Sequence, residues 1–412
     1  MADLPETVVI IGGGQAGAQA AMSLRQGGFA GPITMVCDEA VPPYQRPPLS
    51  KAYLAGTMGL DRLMFRDGDA WAAESVTLKL NCSVASIDRA AKSVTLTDGE
   101  TLSYGALIIA TGSRVRNITC PGADLKGVHY LRTVRDVGTL QADFAEGKRL
   151  VVVGCGYIGL EVAAVAIKQG LHVTALEAAD RVLARVTSAE ISNFYQDVHR
   201  AAGVDLRVSV KVEGFEGEGS VTGVRLADGT LIPADLILVG VGILPNQELA
   251  AEAGIICTNG IVVDDNARTS DPSVFAIGDC AFRPLALYDR TGRLESVHNA
   301  IEQGKLAVAA ILGLPAPALD TPWFWSDQYD LKLQTAGLFN GATKVVIRGS
   351  IEDRKFAAFH LDADNRILAV DAINAAPEFL AGKQIIGRKG RVAPEVLADT
   401  SVSMKQIAAQ TA

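Results

Sequence analysis

Six glycines in two matching spacings are the residues here with the clearest chemistry: Gly12-x-Gly14-x-x-Gly17 and Gly154-x-Gly156-x-x-Gly159. In this pattern the first glycine permits a tight turn. The second lets backbone N–H groups approach a pyrophosphate at the positive end of a helix, and the third lets that helix pack closely on a strand. Each run is followed by an acid able to accept hydrogen bonds from a ribose: Asp38, with Glu39 beside it, and Glu177. One such run alone also fits an ordinary strand–helix connection. Two complete units imply two dinucleotides, and a hydride enzyme acting on a diffusing substrate needs only one. A bound flavin dinucleotide beside an exchangeable nicotinamide meets that count.

The elements that must hold these residues are legible around them. Val8–Ile11 reads as a buried parallel strand, followed by an alanine-rich helix and a second strand, 33–37. Residues 150–153, a helix and His172–Leu176 repeat the order. Ala106–Ile109 runs into Ala110-Thr111-Gly112, and 274–277 runs into Gly278-Asp279. An aspartate there can bond ribitol or phosphate-side hydroxyls, or cap the next helix; Thr111-Gly112 also fits a turn. Asp228-Gly229 is a hairpin signal. The apolar run 236–241 is broken by Gly240-x-Gly242 and Pro245. The second unit, 116–245, therefore reads as inserted into the first, 1–115 and 246–320. The tail, 321–412, shows strand-like runs at 344–350, 356–362 and 366–373 and a helix at 377–387. The expected fold is α/β, with two Rossmann-like dinucleotide-binding domains, the second inserted in the first, plus a C-terminal α+β domain.

Composition narrows the function. The chain has 412 residues, 49% hydrophobic and 20% charged, with a net charge of −8. That excludes disorder and counts against nucleic-acid binding. The start carries acids and no basic segment, and no long uncharged apolar run is present, so no signal, no membrane span and a cytoplasmic address are expected. Cys37, Cys82, Cys120, Cys155, Cys257 and Cys280 form neither a disulfide framework nor a zinc spacing. His129, His172, His199, His298 and His360 show no ligand pattern. No metal is expected.

With these residues placed, the sequence resembles flavin-dependent, NADH-using ferredoxin reductases of the putidaredoxin-reductase-like type, a pyridine nucleotide-disulfide oxidoreductase fold without the redox disulfide. The strings are YQRPPLSKAYL (44–54), YLRT (130–133), GYIGLEVAA, AIGDC, ESVHNA (295–300) and PWFWSDQYD (322–330). The resemblance implies FAD on 1–115 and 246–320, NADH on 116–245, and 321–412 as an interface domain. It implies FAD at Gly12, Gly14, Ala16 and Gly17, with Asp38 on the adenosine ribose and Arg46 and Lys51 near flavin or phosphate. Val84 and Arg132 fall on the adenine and phosphate side, Ala110 and Thr111 at a strand end, Asp279 on the ribitol and Val297 against the ring. Gly154, Gly156, Tyr157, Ile158, Gly159, Glu177 and Gly242 would hold the nicotinamide dinucleotide. Cys155 is read as small filler.

Lys51 and Glu161 are the candidates for the flavin–nicotinamide junction. An acid inside the apolar helix GLEVAA needs compensation, and an ammonium supplies it. Trp323 and Trp325 either shield the flavin or fill core. Nicotinamide gives a hydride and an iron–sulfur protein accepts single electrons; flavin converts one into the other, so the implied partner is a [2Fe–2S] ferredoxin. Its implied destination is a cytochrome P-450, with a Rieske-type dioxygenase as the alternative. A thiol or peroxide enzyme would need a cysteine within 43–54, where Ser50 and Lys51 stand. A redox-dependent binding module is the non-enzymatic alternative. Arg290, Arg293, Lys383, Arg388, Lys389 and Arg391 are the candidate docking cations. Oligomeric state is not legible.

Overall fold

In a computed structural model, residues 4–411 are described. They fall into two units: 4–46, Gly59–Arg114 and Leu244–Asp320 in the first, and Pro47–Met58, Val115–Ile243 and 321–411 in the second.

The first unit is built on a five-stranded parallel sheet in the order Val274–Ala276, Ala106–Ile109, Val8–Ile11, Ile33–Val36, Val76–Lys79. The strands are continuous apolar runs because both faces are covered. Side chains alternate between two cores. Val8, Ile10, Met35 and Ile108 join helices Gln15–Gln26 and Val297–Leu312. Val9, Ile11, Leu107 and Ile109 meet the antiparallel strands Val84–Asp88, Ser93–Leu96 and Thr101–Ser103.

The second unit repeats this plan. Its parallel sheet runs Asp205–Arg207, His172–Leu176, Arg149–Val153, Leu236–Val239, Val128–His129. Helix Tyr157–Lys168 packs on it, and the meander Val212–Glu218, Ser220–Leu226, Leu231–Pro233 covers another apolar face. Asp228-Gly229 makes the expected hairpin between the last two strands. The apolar run expected at 236–241 leaves the sheet after Val239, because Gly240 starts the turn that closes against Gly154.

The tail forms a five-stranded antiparallel sheet in the order Trp323–Gln328, Leu331–Gly337, Ile367–Ile373, Lys355–Leu361, Lys344–Ser350. Helices Ala376–Gly387 and Met404–Gln410 cover its apolar side. Residues 47–58, read from sequence within the first domain, group with the second unit. Their backbone is held there: Gln141 Nε2 donates to the Tyr53 carbonyl at 2.8 Å and the Leu54 carbonyl at 3.0 Å. Among the described residues no helix is long and apolar enough to cross a membrane.

Candidate active site

The two glycine turns have the same geometry. Gly12 has φ +112°, and a Cβ there would lie 2.3 Å from the Ala110 carbonyl oxygen; Gly154 has φ +98°, and its Cβ would lie 2.5 Å from that of Gly240. A Cβ on Gly17 would sit 2.1 Å from the Gly12 oxygen, and one on Gly159 2.1 Å from the Gly154 oxygen. Only glycine fits these four places. Gly14 and Gly156 are different: a Cβ at either meets nothing within 4 Å. Each caps its helix without a side-chain hydrogen bond. Open space in front of uncapped helix N–H groups, twice, fits two pyrophosphates.

In the first unit Asp38 stands two residues after the strand Ile33–Val36, which stops one residue short of the expected 33–37, and is exposed. Glu39 is occupied, accepting from Tyr44 Oη at 2.5 Å and Arg46 Nη2 at 2.6 Å. Asp38 is the more exposed of the two acids, and Arg46 is ion-paired to Glu39. Thr111 and Asn246 tie their segments together: Thr111 Oγ1 donates to the Asn246 carbonyl at 2.7 Å, and Asn246 Nδ2 donates back at 2.9 Å. Asp279 Oδ2 accepts from Ser113 Oγ at 2.8 Å, and its carbonyl accepts from Arg293 Nη1 at 2.8 Å. Gly278, at φ +77°, donates its N–H to Gln303 Oε1 at 2.8 Å. A Cβ on Gly278 would lie 3.0 Å from the Ala16 Cβ. Val297 opens its helix behind the cap Ser296, and Val84 begins a strand packed against the core that holds Val9, Ile11, Leu107 and Ile109. Asn246, Ser113 and Gln303 escape sequence reading because their residue types carry no motif.

Arg293 requires a correction. Its side chain is only 10% exposed and is engaged by Glu295 and the Asp279 carbonyl, so it is internal scaffolding and not a docking cation.

In the second unit both oxygens of Glu177 are held: Oε2 accepts the Cys155 N–H at 2.8 Å and Oε1 the Ala179 N–H at 2.9 Å. Arg181 is committed to the Thr187 and Ala184 carbonyls and Ser192 Oγ. The Arg185 guanidinium lies beside Gly242, 3.6 Å from where a Cβ would stand. Tyr157 is half-buried, with its ring 4.5 Å from Phe324, and Ile158 is exposed. Arg132 precedes helix Val134–Asp143, its N–H donating to Asp136 Oδ2 at 2.9 Å.

Glu161 sits within helix Tyr157–Lys168 and is 2% exposed. Oε2 accepts from Ser50 Oγ at 2.5 Å and Lys51 Nζ at 2.6 Å, and Oε1 from Ser326 Oγ at 2.6 Å. Strand alternation explains Ser326. Phe324, Ser326 and Gln328 meet Tyr157, Glu161 and His199, while Trp323 turns the other way onto Phe379. Trp325 stays partly exposed, 5.5 Å from the Trp323 ring.

All six cysteines are free. Burial pushes the Cys37 thiol up to about 12 and raises Cys155 and Cys280 as well. These are protonated thiols packed in cores, without the reactivity of a thiolate. Among the described residues no cluster of three or more His, Cys, Asp or Glu could hold a metal.

Residues 6–304 match the pyridine nucleotide-disulphide oxidoreductase family, and residues 323–408 match the reductase C-terminal domain. A probable ferredoxin reductase of Castellaniella defragrans is 47% identical over 405 residues, covering 98% of this chain and 99% of that one. The crystal structure of the covalent putidaredoxin reductase–putidaredoxin complex matches with a TM-score of 0.96 at 44% identity, over 98% of this chain and 99% of that one. That of the ferredoxin reductase for the CYP199A2 system of Rhodopseudomonas palustris gives a TM-score of 0.95 at 43% identity, over 98% and 100%.

Proposed function

We propose, for a chain that belongs to the pyridine nucleotide-disulphide oxidoreductase family and carries the reductase C-terminal domain, that it is a cytoplasmic NADH-dependent ferredoxin reductase feeding a cytochrome P-450 monooxygenase. It takes hydride from NADH and passes single electrons to a [2Fe–2S] ferredoxin. FAD supplies the conversion between the two.

The observation that carries this reading is the pair of matching glycine turns in a chain whose cysteines are all free. Two dinucleotides are accommodated, and burial holds the Cys37, Cys155 and Cys280 thiols protonated, which argues against their use as a further two-electron store. Residues 1–115 and 246–320 take FAD. Gly12, Gly14, Ala16 and Gly17 form its pyrophosphate turn, Asp38 meets the adenosine ribose, and Asp279 faces the ribitol, held by Ser113 and Arg293. Val84, Ala110, Thr111 and Val297 line the same domain's strand and helix ends. Residues 116–245 take NADH at Gly154, Gly156, Tyr157, Ile158 and Gly159, with Arg132 and Gly242 at its edges. Residues 321–412 meet the ferredoxin.

Glu177 sets the preference for NADH. A carboxylate pinned by two backbone amides cannot retreat from a 2′-phosphate, and Arg181 is too engaged to compensate. Lys51, tethered by Glu161 through a fully bonded carboxylate, places a fixed positive charge where reduction adds negative charge. Trp325 shields the ring from water.

The P-450 destination is supported by the ESVHNA and WFWSDQYD strings and by likeness to the reductase for the CYP199A2 system. The test is turnover with ferredoxins from a P-450 system and from a Rieske-type dioxygenase. A higher kcat/KM with the P-450 type supports the reading, and the reverse moves the enzyme to the dioxygenase branch.

A further inference from the structure

Asp371 lies in strand Ile367–Ile373 and is 1% exposed. A carboxylate at that depth needs donors, and three converge on it. Thr335 Oγ1 donates to Oδ1 at 2.6 Å, Thr187 Oγ1 donates to Oδ2 at 2.5 Å, and His360 Nε2 lies 2.8 Å from Oδ2. His360 Nδ1 is buried with no hydrogen-bond partner among the described residues, so the imidazole donates through Nε2. Thr335 stands directly opposite Asp371 on the neighbouring strand, and His360 is a diagonal neighbour on the other side. Sheet register accounts for both. It does not account for Thr187, which comes from the loop after Glu177.

That loop is closed on itself and on the second glycine turn. Arg181 donates to the Thr187 and Ala184 carbonyls, and the Leu183 N–H donates to the Cys155 carbonyl at 3.1 Å. The same sheet also touches the helix: Phe324, in the strand paired with Leu331–Gly337, has its ring 4.5 Å from that of Tyr157, the first residue of the helix that Gly156 opens.

We propose that Asp371, a residue of the C-terminal domain, is a positioning residue for the nicotinamide dinucleotide site. It fixes the loop after Glu177 through Thr187, and that loop in turn meets the second glycine turn at the Cys155 carbonyl. The inference rests on the reading that the Gly154–Gly159 turn holds NADH. The loop against that turn is held by a carboxylate of the C-terminal sheet, so NADH affinity is set partly by a sheet that belongs to no dinucleotide fold. The charge matters and not only the shape. Asn at 371 presents N–H₂ on one side, so one arm loses its acceptor and its hydroxyl must reorient.

The test uses the FAD-loaded full chain and stopped-flow reduction of the flavin by NADH without oxygen. Asp371→Asn should raise the dissociation constant for NADH about fivefold to tenfold, the scale of one buried hydrogen bond. The limiting rate of reduction should stay within about twofold of the parent. Thr187→Val, which removes only the hydroxyl that reaches Asp371, should do the same to a smaller extent. Combining the two should cost less than the sum of the separate effects in free energy, because they share one chain of bonds. If Asp371→Asn does not fold, Thr335→Val takes its place in that cycle. Unchanged NADH affinity in both single variants, or additive effects, overturns the role of Asp371. Gly156→Val separates this from the underlying reading: its side chain enters the open space in front of the helix. If it too leaves NADH binding unchanged, the coenzyme is not held at this turn.

Discussion

Lys51 Nζ lies 2.6 Å from Glu161 Oε2, and the carboxylate it meets is buried at 2% exposure with two serine hydroxyls completing its shell. The ammonium retains 19% side-chain exposure, so the two partners are not equally dependent on each other. Lys51 has water and the Pro47 carbonyl to fall back on; Glu161 has only hydroxyls.

That asymmetry orders a set of variants. Lys51→Met strands a buried anion and should destabilise the protein by about 3–5 kcal/mol, the cost of breaking a buried pair from one side. Glu161→Gln should cost less, because the released ammonium stays partly hydrated. The double variant should be more stable than Lys51→Met alone. Denaturant unfolding of the FAD-loaded protein checks the order, and a double variant weaker than Lys51→Met would show that the pair is not the source of the cost. NADH-dependent flavin reduction should slow in all three.

Coenzyme choice gives a second test. Glu177→Ala removes the charge that opposes a 2′-phosphate, and also frees the Cys155 and Ala179 N–H groups it holds. The single variant should therefore lose NADH affinity as well as gain NADPH use. Adding Ala178→Arg should raise NADPH kcat/KM further, by about tenfold if the guanidinium pairs with the phosphate. A parent enzyme that already prefers NADPH would refute the assignment of Glu177.

The glycine turns were legible because positive φ and backbone approaches of 2.1–2.5 Å admit no other residue. Glu161 was legible as an acid in an apolar helix, but its partner lies 110 positions away and came from resemblance to a family. Ser50, Ser326 and Asn246 were invisible, since serines and asparagines occur everywhere and only tertiary distance gives these three a task. The Thr187–Asp371 bond spans 184 positions and has no local signature at all. Arg293 was misread as surface because an arginine before a glutamate in a polar stretch looks solvated; the fold instead aims it at the Asp279 carbonyl.

Thiol chemistry predicts a stoichiometry and a pH effect. Reduction without oxygen should take one NADH per FAD, and iodoacetamide should not inactivate the native enzyme at neutral pH. The Cys37 thiol is raised from an ordinary value near 9 to about 12. Its folded form keeps the proton that the unfolded form gives up, so its contribution to stability is complete below about 9 and is lost as pH rises toward about 12. The slope is about 1.4 kcal/mol per pH unit in that window. Cys37→Ala should flatten the alkaline arm of the stability curve by about that amount while NADH–ferricyanide turnover persists. An unchanged slope would contradict the burial argument.

The last prediction concerns docking. Ferredoxins of this kind are typically acidic and the chain itself carries −8, so overall charge opposes the encounter and a local basic patch must reverse it. Arg388, Lys389 and Arg391 are exposed around the turn that ends helix Ala376–Gly387, and Lys383 of that helix lies over the Trp323 ring, 5.7 Å from its centroid. This cluster combines basic charge with an aromatic pair, Trp323 and Trp325. Arg290 is a separate exposed candidate in the first unit, over the Tyr288 ring. If the 383–391 cluster steers association, kcat/KM for ferredoxin should fall as salt rises above ~0.1 M, where charges more than ~10 Å apart are screened. NADH–ferricyanide turnover needs no protein partner and should change much less. Charge reversal at Arg388 and Lys389 together should lower ferredoxin kcat/KM about tenfold or more at low salt, with the gap closing at high salt. Arg293→Glu should behave differently, since that side chain supports Asp279: FAD retention and both acceptor activities should fall together. Equal salt and charge-reversal effects on ferricyanide and ferredoxin would place the docking surface elsewhere.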